Sequence, residues 1–166
     1  MDNTLGKPYE SQVHVEYEDV VWPKIKKLFG IERLLVVSNS AGVESDDKGY
    51  LKAAEIEKSL GIKVLRHKEK KPLGGEIMYE YFATVFENNQ QCKTEILKRT
   101  DQSQDPALLQ RNQIAFIGDR LLTDVVFGNK NGFYTIYLTQ PICTKNDNTA
   151  AKIVRKLEHF YSKAFL

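Results

Sequence analysis

Ile114-Ala115-Phe116-Ile117-Gly118-Asp119-Arg120-Leu121-Leu122-Thr123-Asp124 decides how this chain is organised: an apolar run stops at a Gly-Asp, and a second acid follows five residues on. The run has the composition of a buried strand, and a helical pattern begins after it. Two carboxylates therefore stand where a strand hands over to a helix. Strand ends in open α/β sheets are where ligands bind. Acids this close repel each other unless a cation compensates them, and oxygen ligands suit a hard divalent ion. Asp119 has a second reading, as the N-cap of the helix that follows.

Upstream, Leu34-Leu35-Val36-Val37 is another continuous apolar run, ending at Ser38-Asn39-Ser40-Ala41-Gly42. Runs of this kind form parallel strands covered on both faces. Ile62 to Leu65 is a shorter strand followed by the basic loop Arg66 to Pro72, and Tyr134 to Leu138 is a fourth, after Gly132. Helical patterns alternate with the strands. Residues 20–29 put Val21, Trp22, Ile25, Leu28 and Phe29 on one face, with Pro23 in the first turn. Residues 48–60 carry Leu51, Ala54, Ile56 and Leu60 and close at Gly61, and residues 76–86 align Ile77, Tyr81 and Val85. Residues 122–131 and an amphipathic 149–166 complete the set, the last packing its Ile153, Leu157 and Phe160 face on the sheet. Residues 6–19 read as a surface loop, and 87–112, rich in Asn, Gln, Lys and Ser, as a polar insertion in one domain spanning 1–166. The alternation predicts an α/β fold with a doubly wound, mostly parallel sheet.

At 166 residues the chain has the length of one domain, and 42% hydrophobic with 28% charged residues is ordinary for a globular protein. A net charge of +2 is too small to argue for nucleic acid. The clusters Lys24, Lys26, Lys27 and Arg66, His67, Lys68, Lys70, Lys71 point instead to an anionic partner. Cys92 and Cys143 are too few for a disulfide scaffold or a zinc site, so a reducing compartment is expected. No run approaches the ~18 apolar residues of a membrane span, and no signal-peptide core stands near Met1. Contact with a membrane is expected from its surface.

The C-terminal ends of parallel strands share one edge, and three of them carry different polar groups: Ser38-Asn39, Lys71, and Asp119 with Asp124. Donors and a cation for phosphoryl oxygens, with carboxylates for a metal, are the parts needed to hold a phosphate and Mg2+ together. The backbone N–H groups of Asn39 and Ser40 add a small anion nest. In their order, Asp2-Asn3-Thr4-Leu5, Val37 to Gly42, Lys70-Lys71-Pro72 and Gly118 to Asp124 resemble the four motifs of the haloacid dehalogenase superfamily of phosphatases. Val64-Leu65-Arg66-His67 leading to Lys71-Pro72 makes the chain similar to the mitochondrial phosphatidylglycerophosphate phosphatase family within it. The match runs from residue 2 to about 140.

The resemblance implies roles by position. Its first motif reads Asp-x-Asp, where the first Asp attacks phosphorus and the second protonates the leaving alcohol and then activates water. Asp2 matches the second and would touch Mg2+ through its carbonyl. Ser38 matches the phosphate-binding hydroxyl with Asn39 beside it, Lys71 the lysine that neutralises nucleophile and phosphate, Asp119 the metal acid and Asp124 its support. Arg66, in the basic loop, is a candidate for the lipid head group. The short segment 6–19 leaves little or no room for a cap. The substrate implied is phosphatidylglycerophosphate, dephosphorylated to phosphatidylglycerol for cardiolipin synthesis at the matrix side of the mitochondrial inner membrane.

One part of the pattern lies outside these 166 residues. The nucleophile matches the position before Met1, and the resemblance makes its strand central, between the Leu34 and Ile114 strands. Without about five buried apolar side chains at ~1.5–3 kcal/mol each, a fold of ~5–15 kcal/mol is expected to be poorly stable and inactive. A fuller product starting upstream is the expectation. Asp2 as nucleophile with Thr4 two residues on is an alternative assignment. Other functions kept open are a phosphatase for a soluble phosphomonoester and a catalytically silent phosphate-binding protein.

Overall fold

The computed structural model describes residues 1–97, 108–140, 142, 143, 154 and 158. Within the stretch expected as loop, Val15–Glu18 forms one helical turn, α1, and α2 follows at Val21–Phe29. Pro23 sits in the first turn of α2, where a helix needs no N–H. Its buried side is narrower than the apolar pattern: Trp22 is 6% exposed, but Leu28 is 67% and Phe29 55% exposed.

The Leu34 run supplies β1 (Leu35–Val36), which pairs in parallel with β2 (Lys63–Val64) across α3 (Leu51–Leu60). A single 3-10 turn, Lys48–Tyr50, precedes α3, so the α-helix starts later than the periodicity implies. The buried carboxylate of Asp47 accepts the backbone N–H groups of Lys52 and Ala53, each at 2.9 Å. It also accepts that of Gly42 at 2.9 Å, tying the loop after β1 to the helix start. Ala53, Ile56 and Leu60 face the core, each large side chain contributing about 1.5–3 kcal/mol. Leu51, expected on that face, is 75% exposed, while Ala53 in the same turn is fully buried.

Helix α4 spans Gly75–Leu97, eleven residues beyond its expected end at 86. Glu87, Gln90, Gln91, Lys93 and Glu95 are good helix formers, so polarity alone did not end the helix. The start of the expected insertion is thus helical, and residues 98–107 of it lie outside the described residues. Met78 is buried and Ile77 40% exposed, which places the inward stripe one position from the expected one. β3 (Ala115–Gly118) then leads through a π-helical turn, Leu121–Val125, into α5 (Val126–Lys130) and β4 (Tyr134–Tyr137). β4 pairs with β3 in parallel, from Ala115↔Tyr134 to Gly118↔Tyr137. Of the expected 149–166 helix only Val154 and Glu158 are described, both helical.

The fold is therefore mixed α/β with parallel strand pairs, but one continuous sheet is replaced by two half-sheets, β1-β2 and β3-β4. Two cores flank them, and β1-β2 with its flanking residues contributes to both. Trp22, Val36, Ala53, Ile56, Leu60 and Val64 form one, and Val37, Leu65, Met78, Phe116, Phe127 and Phe133 the other. A cavity of about 600 Å³ separates the half-sheets and touches Leu35, Val36 and Val37 on one side and Ala115, Phe116 and Ile117 on the other.

Candidate active site

The loop that leaves β1 is folded by its own side chains. Ser38 Oγ accepts the N–H groups of Ser40 and Ala41 at 3.2 and 3.3 Å, which turns the chain back on itself. The Ser40 N–H expected for an anion nest is thus used inside the loop. Gly42 follows with φ +83°, and a Cβ there would stand 2.1 Å from the Leu65 carbonyl oxygen, so only glycine lets the loop pass β2. The buried His67 ring braces the same loop: Nε2 lies 3.0 Å from the Ser38 carbonyl oxygen, and Nδ1 faces that of Glu69.

Asn39 does not present its amide to the cavity alone. Its Oδ1 accepts the Lys71 N–H at 2.8 Å and its Nδ2 donates to the Lys71 carbonyl at 3.2 Å. The amide group acts as a two-point clamp on the Lys71 backbone. The side chain so placed reaches across the cavity, where Lys71 Nζ donates to Asp124 Oδ1 at 2.6 Å and to the Val37 carbonyl at 3.0 Å. It also lies 5.4 Å from the centre of the Phe116 ring, near a cation–π position. Lys71 thereby joins the end of β1 to the segment after β3.

Asp124 reaches that point because of Gly118. A Cβ at 118 would lie 2.4 Å from the Asp124 Cβ, so the glycine of Gly-Asp clears the space the second acid occupies. The other carboxylate oxygen, Oδ2, accepts the Arg120 N–H at 3.2 Å. Asp119 is 5% exposed at the strand end and lines the cavity. It is not the N-cap expected as the alternative: Arg120 holds that position, and no side chain caps the turn. Leu122 N–H, in that turn, donates to Glu158 Oε1 at 2.8 Å.

Asp2 stands in a tight turn, closed by Asn3 N–H donating to the Gly6 carbonyl at 2.8 Å. Its Oδ1 accepts the Tyr9 N–H at 3.2 Å and its Oδ2 the Ser40 hydroxyl at 3.3 Å. The buried Met1 ammonium registers the local field. Burial lowers its pKa most and Lys71 lowers it further, while Asp2, Asp124 and Asp119 oppose them. One cavity is accordingly lined by Asp2, Ser38, Asn39, Lys71, Asp119 and Asp124.

Among the described residues, no three His, Cys, Asp or Glu side chains converge as a ready cation cluster. Mg2+ needs less, since one or two carboxylates with waters and phosphate oxygens satisfy it. The chemistry of Asp2 and Asp119 fits that requirement. Asp124, named among the metal acids from the sequence, is committed here to Lys71 and Arg120. Arg66 stands apart from the cavity. Its guanidinium forks onto Glu57 at 2.6 and 2.8 Å, donates to the Val64 carbonyl at 2.6 Å and lies 5.8 Å from the Tyr50 ring centre. That fork holds the Glu57 pKa below its ordinary value, against the opposite pull of burial. Arg66 thus anchors α3 to β2.

Asn39's grip on the Lys71 backbone, the His67 brace and the Asp47 cap were not legible as such in the sequence. The only local signals were Asp47 before a helical pattern and Gly118 before the acids.

The model of the family described as mitochondrial PGP phosphatase matches residues 1–91 and 85–143. A chloroplastic phosphatidylglycerophosphate phosphatase of Chlamydomonas reinhardtii is 32% identical over 96% of this chain and 49% of its own length. A chloroplastic and mitochondrial one of Arabidopsis thaliana is 32% identical over 99% of this chain and 40% of its own. A mitochondrial phosphatidylglycerophosphatase of Saccharomyces cerevisiae is 29% identical over 96% of this chain and 74% of its own. The chain thus spans about half or less of the algal and plant relatives. No solved structure matches it.

Proposed function

This chain belongs to the mitochondrial PGP phosphatase family, and on that premise we propose that it carries the site of a phosphomonoesterase that converts phosphatidylglycerophosphate to phosphatidylglycerol. The supporting observation is the meeting of Asp2, Ser38, Lys71, Asp119 and Asp124 on one cavity at the strand ends. Lys71, fixed by Asn39 and Asp124, offsets the charge of the phosphoryl oxygens. Ser38 and its loop position those oxygens. Asp2 hands a proton to the leaving glycerol oxygen and then takes one from the attacking water. The carboxylate that attacks phosphorus belongs, by the resemblance, immediately before Met1, on a central strand that would complete a doubly wound sheet of the haloacid dehalogenase type. Mg2+, held by Asp2 and Asp119, supplies charge neutralisation of the phosphate when bound.

The names of the yeast and plant relatives support a mitochondrial location, and we place the protein at the matrix face of the inner membrane. No helix among the described residues is long and apolar enough to cross a membrane. Lys68 and Lys70 then meet anionic lipid from the surface, at about 1 kcal/mol per charge. The test is phosphate release from phosphatidylglycerophosphate in vesicles by the chain extended with an apolar strand ending in Asp before Met1. Lys71→Ala and Asp119→Asn are each expected to cut turnover at least ~100-fold. Normal turnover in both variants overturns the assignment, and faster turnover on soluble sugar phosphates moves the substrate away from lipid.

A further inference from the structure

Lys71 and Arg120 both line the cavity at the strand ends, but only Lys71 is engaged there. Its Nζ is divided between Asp124 Oδ1 and the Val37 carbonyl, and Asn39 fixes its backbone. Elsewhere in the fold, Arg66 forks onto Glu57 and Arg111 onto Glu76. Arg120 differs. Its backbone N–H donates to Asp124 Oδ2 at 3.2 Å, but its guanidinium meets no hydrogen-bond, ion-pair or ring partner among the described residues. One carboxylate therefore fixes both cations, Lys71 by its ammonium and Arg120 by its backbone. Arg120 is extended, with φ −118° and ψ 120°, and side chains of successive extended residues point to opposite sides. Asp119 is accordingly buried while Arg120 is half-buried, which puts the guanidinium on the solvent side of the acid. Arg33 also lines the cavity, but it precedes β1 and so lies at the end of the strand away from Ser38.

We propose that Arg120 is a second anion subsite of this cavity, binding the phosphodiester of a ligand whose phosphomonoester lies against Lys71 and Ser38. The inference rests on the reading of phosphatidylglycerophosphate as substrate, a molecule that carries a monoester and a diester at the two ends of one glycerol. With the monoester at Lys71, the diester lies three carbons further out, on the side of the solvent and the acyl chains. The outward-lying guanidinium meets it there. A phosphodiester spreads one charge over two free oxygens, which a guanidinium fork matches and a point-charge ammonium does not. Because Arg120 has no partner of its own among the described residues, it breaks no internal bond on binding, whereas Arg66 would have to leave Glu57. The extended backbone held by Asp124 fixes where the side chain starts, so the two cations stand in a set order along the ligand. The subsite therefore selects a phosphomonoester that bears a second phosphate over a simple glycerol or sugar phosphate.

Calorimetric titration of the intact protein in Mg2+ tests this with two methylenephosphonates, in which a CH2 group replaces the scissile ester oxygen so that no turnover occurs. One is the analogue of glycerol 3-phosphate, and the other is the same analogue with a glycerol phosphodiester at its far end. The diester-bearing probe is expected to bind at least ~10-fold more tightly than the simple one. Arg120→Ala is expected to erase that gain while leaving the Kd of the simple probe within about twofold, and Arg120→Lys to recover only part of it. Arg33→Ala removes the same charge from the other end of the cavity and is expected to keep the gain in full. Lys71→Ala is expected to weaken both probes alike. Equal binding of the two probes by the unaltered protein overturns the subsite, as does an Arg120→Ala variant that retains the gain or weakens both probes equally. The two readings fail separately. If Lys71→Ala weakens both probes and Arg120→Ala keeps the gain, the subsite alone falls; if Lys71→Ala weakens neither, the phosphatase reading falls and the subsite with it.

Discussion

Lys71 and Asp124 are buried, with side chains 10% and 7% exposed and 2.6 Å between Nζ and Oδ1. Removing one partner of such a pair leaves a charge stranded, which costs about 3–5 kcal/mol, whereas replacing both by apolar groups is close to neutral. Lys71→Met strands Asp124 on one remaining N–H, that of Arg120. Asp124→Leu strands the ammonium on the Val37 carbonyl and beside the Phe116 ring. Each single change in the strand-extended chain is therefore expected to lower the unfolding free energy by about 3–4 kcal/mol, and Tm by about 6–15 °C for a domain of this size. The double variant is expected to recover most of that loss, giving a coupling of at least about 2 kcal/mol. Urea unfolding with a shared m-value measures the cycle. Additive losses in the double variant refute the reasoning, because the two groups would then not be acting on each other.

Gly118→Ala is expected to expel the Asp124 carboxylate from its place, since the new methyl group would stand 2.4 Å from the Asp124 Cβ. Vesicle assays should show at least a tenfold loss in kcat, and a full-rate variant would show that Asp124 can shift without consequence. Asn39→Ala removes both contacts to the Lys71 backbone, at about 1–3 kcal/mol, and should lower kcat. By contrast Arg66→Ala breaks the Glu57 fork, side chains 32% and 22% exposed, should cost only about 1 kcal/mol of stability and should leave KM for the lipid unchanged. A raised KM would return Arg66 to the site. Acid stability follows from Asp47 and Glu57. Burial pushes the Asp47 pKa up, but the N–H groups of Gly42, Lys52 and Ala53 outweigh it and hold the value below ordinary, and Arg66 does the same for Glu57. A depressed folded pKa adds stability that is complete above the unfolded value, near 4, and is lost as pH falls through the folded one. The stability contributed by Asp47 and Glu57 should thus hold above about pH 5 and be lost below about 4, with a shallower fall in Asp47→Asn.

The sequence by itself determined the order of elements and named residues that the fold brings to one cavity. Apolar runs at 34–37 and 114–117 mark the strands β1 and β3, and polar groups at their ends mark the candidate site, because strand formation and termination leave a local imprint on residue type. The covering of both faces expected of the second run is not met, since Ile117 is 47% exposed. Boundaries were less secure where the imprint weakens: α4 continues to Leu97 through polar helix formers, and Leu28, Phe29 and Leu51 are apolar yet exposed. The tertiary structure alone decided who holds whom. Asn39 grips the backbone of a residue 32 positions away and Lys71 meets an acid 53 positions away. Arg66 is drawn to Glu57 rather than to the cavity, and the described strands divide into two half-sheets with a cavity between them. Residue type fixes what a group can bond to, but which partner it finds depends on how strands and loops far apart in the chain close on one another, and no local pattern carries that information.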